Sequence, residues 1–114
     1  MRVMGAETET IAPAGLAERE RVLGVLREQA PRLRARGIVR LGLFGSMARG
    51  EAGSRSDIDL LIEVDPEAGF GLSDLLDLQE ELANRLGRPV DFAFGSEMRR
   101  WLRDWIEEDR IGIF

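Results

Sequence analysis

The 114-residue sequence lacks cysteine, histidine and tyrosine altogether, and the first two absences exclude whole kinds of chemistry. Without cysteine the chain forms no disulfide, no thiolate nucleophile and no cysteine-bound zinc site. Without histidine it lacks the usual general base near neutral pH. Any catalysis therefore depends on carboxylates, hydroxyls, backbone amides, arginines or a bound metal.

The chain also lacks long apolar runs. None approaches the roughly 20 residues that a membrane span needs, and the first residues, MRVMGAETETIAPAG, contain no hydrophobic stretch of signal-peptide type. With 44% apolar and 32% charged residues, the composition is typical of a globular domain. We predict a loose tail over residues 1–15, one domain over 16–114 and a cytoplasmic location.

Net charge is −5, which argues against broad binding to nucleic acid. Five arginines nevertheless fall within fourteen residues, namely Arg27, Arg32, Arg34, Arg36 and Arg40. They either form a solvated helix face or contact a phosphate or a partner. The sequence leaves both interpretations open.

Hydrophobic periodicity predicts an alternation of helices and strands. A first helix is expected from about 16 to 36, kinked or divided by Pro31 and ended by Gly37. Later elements are expected as strands over 38–44, 57–64 and 89–94, a helix over 72–86, a last helix capped by Ser96, and a short edge strand near the C-terminus. The strand over 57–64 is apolar on both faces and should be central. This order predicts an α/β (α+β) fold, a small mixed β-sheet with helices packed against it.

Three aspartates carry the predicted chemistry. Asp57 and Asp59 alternate along one strand, so they share a face at about 6 to 7 Å. Two such carboxylates repel each other and resist desolvation, a conflict that a divalent cation resolves. If the strand with Asp91 is a neighbour, all three converge and can hold two metal ions. Glu63 shares this face further along and is interpreted as structural or as part of the rim.

A Gly-Ser turn precedes the aspartates. Gly45 lets the backbone approach a ligand closely, and Ser46 is expected to cap a short helical turn and to donate its hydroxyl to a phosphate oxygen. Arg49, one turn later, and Arg55, in the following loop, are candidate partners for a triphosphate. These residues form the predicted nucleotide-binding half of the site.

The stretch LFGSMARGEAGSRSDIDLLIEV resembles the signature of the DNA polymerase β-like nucleotidyltransferase superfamily, in particular its minimal (MNT) members. Their pattern is Gly-Ser, about ten residues, Asp-x-Asp, and a third Asp on a later strand, and Gly45, Ser46, Asp57, Asp59 and Asp91 match it. The resemblance extends over nearly the whole chain after residue 15 and implies a nucleotidyltransferase (polymerase β-like) fold.

The resemblance also implies a reaction. Asp57 and Asp59 would bind two Mg²⁺ ions, Asp91 would join at the catalytic ion, and Gly45 and Ser46 would hold the triphosphate of ATP. An acceptor hydroxyl would attack the α-phosphorus and release pyrophosphate. Asp91 could also accept the proton.

The expected acceptor follows from the same resemblance. MNT proteins typically act as antitoxins of HEPN-domain toxins and adenylylate a toxin tyrosine. Because this chain has no tyrosine, a tyrosine acceptor must come from a partner, whereas self-modification at serine or threonine stays open. Two alternatives remain: a binding module that neutralises its partner by occlusion, and a nucleotidyltransferase subunit for a small-molecule acceptor.

Trp101 and Trp105 are either core residues of the last helix or anchors for the partner.

Overall fold

A computed structural model describes the backbone of residues 4–53, 55–94 and 110–114, with side chains from residue 15 onward. The described helices are α1 (Met4–Ala35), α2 (Gly45–Ala48) and α3 (Leu72–Leu86). The described strands are β1 (Ile38–Phe44), β2 (Ile58–Val64), β3 (Val90–Phe94) and β4 (Ile111–Gly112). None of the described helices is long and apolar enough to cross a membrane.

The four strands form one mixed sheet in the order β3-β2-β1-β4. Strand β1 runs antiparallel to both β2 and β4, whereas β2 and β3 run parallel. The central place of β2, the C-terminal edge strand and the α/β architecture predicted from the sequence are all confirmed. Helix α3 ends where predicted, because Gly87 adopts a left-handed conformation with a φ of 73°.

One face of the sheet carries the hydrophobic core. Leu43 of β1 and Leu60 of β2 are fully buried there, together with Leu26 of α1 and Leu82 of α3. Since side chains alternate along a strand, residues 59 and 91 point to the opposite face. The core therefore fixes which face of the sheet presents the aspartates.

The first helix differs from the prediction at both its start and its middle. It begins at Met4, so residues 4–15, expected as a loose tail, are helical. Their alanines and glutamates favour a helix but lack the apolar periodicity that the prediction used. The helix also continues undivided through Pro31, because Leu26 and Leu33 on either side are buried. Their packing outweighs the roughly 3 kcal/mol that an internal proline costs.

The predicted capping role of Ser46 is wrong. Helix α2 begins at Gly45, its N-cap position is Phe44, and no side chain caps it. Gly45 has a φ of 76°, which lets the chain turn from strand to helix without a separate capping residue. Ser46 therefore lies inside α2.

Most of the arginine-rich segment contacts the chain itself. Arg32 and Arg36 donate to Glu81 at 2.8 and 3.0 Å, and Arg40 donates to Glu63 at 3.0 Å. The Arg34 guanidinium lies 4.6 Å from the centre of the Phe114 ring. These contacts connect α1 and β1 to α3, β2 and the C-terminus, and they give Glu63 the structural role that was expected. A phosphate or partner contact of this segment stays a prediction. Ser96, Trp101 and Trp105 lie outside the described residues.

Candidate active site

The parallel pairing of β2 and β3 places two of the predicted aspartates side by side. Asp59 is the direct partner of Asp91 in the register, so their side chains share the face opposite the core. Asp57 immediately precedes β2 rather than lying within it. Asp57 and Asp91 are exposed, whereas Asp59 is half-buried. Asp59 and Asp91 therefore lie side by side as predicted, whereas the convergence of all three carboxylates stays a prediction.

Asp59 has the most strained electrostatic environment of the three. Burial raises its pKa above the usual range, and the charges of Asp91 and Asp57 raise it further. Arg49 opposes this shift, which places Arg49 within electrostatic range of the carboxylate. A region that disfavours a second and third negative charge is one in which a cation is stabilised.

The Gly-Ser turn packs directly against Asp59. A Cβ atom on Gly45 would lie 2.5 Å from the Oδ2 atom of Asp59. On the neighbouring strand, Phe44 is the direct partner of Asp59 in the register. The turn and the aspartates predicted from distant parts of the motif are therefore adjacent in the structure.

The two predicted arginines have different surroundings. Arg49 donates to Glu51 at 2.8 Å and is also close enough to influence Asp59. Arg55 is an exposed residue of the loop between α2 and β2. Contact of either guanidinium with a triphosphate stays a prediction.

An ion pair that the sequence analysis did not single out holds this loop in place. Arg88 donates to Glu18 at 2.6 Å and to the carbonyl oxygens of Gly53 and Ser56 at 2.8 Å each. Ser56 directly precedes Asp57, and Arg88 lies just before β3. Arg88 thus connects α1, the loop that leads to Asp57 and the strand that carries Asp91.

Glu18 has a strongly perturbed pKa in this arrangement. The hydrogen bond from Arg21, foremost, and the hydrogen bond from Arg88 together lower it to about 2 despite an opposing effect of burial. Glu18 and Arg88 are 70 residues apart in the chain. No local spacing in the sequence could have indicated this pair.

The donor set suits a hard divalent cation, although the side chains are not gathered around one. Among the described residues, no group of three carboxylates is close enough to form a metal site as it stands. Asp57 and Asp91 are exposed, so their side chains have room to turn toward Asp59. Three carboxylates fit Mg²⁺, which prefers oxygen ligands.

Comparison with known proteins places the chain in a family. A family model described as a nucleotidyltransferase domain matches residues 21–111. MntA of Thermococcus cleftensis, a protein adenylyltransferase, is 37% identical over 81 residues, which cover 70% of this chain and 80% of MntA.

Two solved structures are also similar. One, provisionally named a minimal nucleotidyltransferase, is 32% identical in sequence to this chain and has a TM-score of 0.62. The match covers 97% of this chain and 98% of the other chain. The other is a toxin-antitoxin crystallised with AMP-PNP, which has the same TM-score at 20% sequence identity. The match covers 77% of this chain and 72% of the other chain, and it shows a shared fold. With the family model matching most of its length, this chain belongs to the nucleotidyltransferase-domain family.

Proposed function

We propose that this nucleotidyltransferase transfers AMP from ATP to a hydroxyl group of a partner protein, with Mg²⁺ as cofactor. The observation that carries the proposal is the direct pairing of Asp59 with Asp91 beside the Gly45 turn. In this site Asp57, Asp59 and Asp91 bind the metal ions, and the backbone at Gly45 and Ser46 holds the triphosphate. Two Mg²⁺ ions, when bound, neutralise phosphate charge and lower the pKa of the attacking hydroxyl.

The residues of the chain then have distinct tasks. Gly45 lets the backbone approach the phosphates because it has no side chain to collide with Asp59. Arg49, on the same side of the site, offers a positive charge to the leaving pyrophosphate. Arg88 holds the loop before Asp57 by donating to the carbonyl oxygens of Gly53 and Ser56. These hydrogen bonds fix the backbone position from which the Asp57 side chain extends. Asp91 can accept the proton of the hydroxyl.

The acceptor is proposed to be a tyrosine of a HEPN-domain toxin, which makes the chain an antitoxin. Three observations support this. MntA, a relative, is a protein adenylyltransferase, and a protein of the same fold was solved as a toxin-antitoxin. The chain itself has no tyrosine, so a tyrosine acceptor belongs to another protein.

Transfer of label from α-labelled ATP to proteins in a lysate of the source cells tests the proposal. Wild type with Mg²⁺ should label a discrete protein band, and the Asp57→Asn/Asp59→Asn variant should not. Asp77→Asn, which changes an exposed carboxylate of α3, is the matched control and should label like wild type. Mass spectrometry then identifies the modified protein and residue.

Toxin neutralisation, assayed beside the labelling, separates catalysis from occlusion. A toxin that is neutralised equally by wild type and by Asp59→Asn, with no label transferred, would show that binding alone accounts for the antitoxin effect. Label on nucleotides or small molecules, with none on protein, would replace the protein acceptor by a small-molecule acceptor.

A further inference from the structure

A groove opens beside Asp91, and none of its other lining residues belongs to the proposed nucleotide site. It has a volume of about 400 Å³ and lies between α3 and β3, at the end of the described sheet. Leu76 and Pro89 are among its apolar lining residues, and Glu80 and Asp91 are its acidic ones. Leu76 is 54% exposed, so an apolar side chain of α3 is accessible at this groove.

The groove has a hydrogen bond between its two elements and a definite charge. The Gln79 side chain donates to the carbonyl oxygen of Val90 at 2.6 Å, and both residues line the groove. Of the described residues that line it, two are carboxylates and none is basic. The nearby Arg88 is directed instead toward Glu18 and the loop carbonyls. A basic group is therefore the electrostatic complement of this surface.

The direction of the reaction explains why an acceptor would enter here. In an in-line displacement, the attacking and the leaving oxygen lie on opposite sides of the phosphorus. The strand order places the Gly45 turn, after β1, on one side of Asp59 and Asp91, on β3, on the other. If pyrophosphate leaves on the Gly45 side, the hydroxyl arrives from the Asp91 side, where the groove is.

We propose that this groove binds the acceptor segment of the partner protein, a peptide stretch with a basic and an apolar side chain near its hydroxyl residue. The basic side chain lies at Glu80, the apolar one packs against Leu76 and Pro89, and the hydroxyl reaches Asp91. This inference rests on the proposed transfer to a protein hydroxyl. It adds the surface that selects the acceptor.

Short synthetic peptides test the docking surface. Each contains one tyrosine and one leucine, flanked by arginines, by glutamates or by uncharged residues, and each is incubated with α-labelled ATP and Mg²⁺. Wild type should label the arginine-flanked series about threefold to fivefold faster than the glutamate-flanked series, as expected for an exposed charge pair. Glu80→Lys should abolish or reverse this preference.

Matched variants separate the groove from general effects of charge and hydrophobicity. Glu67→Lys makes the same charge change at an exposed turn outside the groove and should keep the wild-type preference. Leu76→Ser should lower labelling of every series, whereas Leu72→Ser should not, because Leu72 is an exposed leucine of α3 that does not line this groove. All four variants should keep the wild-type KM for MgATP.

The possible results distinguish this inference from the proposed function. Labelling without a charge preference, or a preference that Glu80→Lys leaves unchanged, would overturn the groove and leave the transferase intact. An altered KM for MgATP in Glu80→Lys or Leu76→Ser would assign the groove to the nucleotide instead. If no peptide is labelled while a lysate protein still is, the proposal that the groove binds a peptide segment would also be contradicted.

Discussion

Asp59 is the residue at which function and stability oppose each other. Its carboxylate is half-buried, and both burial and the neighbouring Asp91 and Asp57 raise its pKa. Asp59→Asn removes this unfavourable charge, so we expect the free energy of unfolding in metal-free buffer to rise by about 1 kcal/mol. The same change should abolish nucleotide transfer. Urea unfolding in EDTA measures the first effect, with Asp77→Asn as the control, and a fall in stability would contradict it.

Gly45 and Gly69 form a natural pair for testing the Gly-Ser turn. Both have positive φ values, 76° and 73°, but a Cβ on Gly45 would meet Asp59 whereas one on Gly69 would meet nothing within 4 Å. Alanine at either position should cost about 1 kcal/mol of stability through backbone strain. Only Gly45→Ala should also displace the Asp59 carboxylate and weaken MgATP binding. Calorimetric titration that finds equal MgATP affinity in both variants would contradict this role of Gly45.

At the scale of elements, the strands and α3 were the best predicted parts of the chain. Residues 38–44 were placed without error, and the pairing of Asp59 with Asp91 followed once β3 was taken as a neighbour of β2. The alternation of apolar residues along a strand indicates directly which face of the strand is buried. The start of α1 was missed because residues 4–15 show no apolar face and include Gly5, Pro13 and Gly15, which disfavour a helix. The capping of α2 was missed because a backbone conformation, rather than a side chain, makes that turn.

The contact of Arg88 with Glu18 could not be predicted, because it depends on how α1 and the start of β3 meet in three dimensions. Spacing in the sequence carries no information on such a pair. Its effect on the site is nevertheless direct, since the same guanidinium holds the carbonyl of the residue before Asp57.

The ion pairs of Glu18 predict a pH-dependent stability. Arg21, foremost, and Arg88 depress the folded-state pKa of Glu18 to about 2 from an ordinary value of 4.5. A depressed carboxyl pKa contributes stability that is complete above pH 4.5 and is lost as the pH falls toward 2. Glu18→Gln should therefore lower the free energy of unfolding by about 1 kcal/mol at pH 7, because solvent screens these partly exposed ion pairs, and by much less near pH 2.

Urea unfolding of both proteins at pH 7, 4 and 2.5 measures this difference. Glu28→Gln, at an exposed position of α1, is the control and should show little dependence on pH. A loss in Glu18→Gln that is the same at all three values would mean that the side chain acts through packing rather than through its charge.

At the scale of the whole molecule, the sheet separates two environments. One face is closed by α1 and α3 around buried leucines, whereas the other presents Asp59 and Asp91. The periodicity of apolar residues in the sequence predicts the first face, because that periodicity arises from the burial of apolar side chains. The second face is predicted from the alternation of the aspartates along their strands and from the motif, since carboxylates that face a ligand follow no packing rule.

The negative charge of the site and of the chain predicts how ATP and Mg²⁺ cooperate. ATP alone is an anion that meets three aspartates on a chain of net charge −5, so it should bind poorly in EDTA. With Mg²⁺, ATP at about a hundred times its Kd adds about 2.7 kcal/mol to the folded state. For a domain of this size we expect Tm to rise by on the order of 10 °C. Calorimetric scans with ATP, Mg²⁺ or both measure this, and Asp57→Asn/Asp59→Asn should lose most of the shift. An equal shift with ATP in EDTA would show that the aspartates do not hold the nucleotide through a metal.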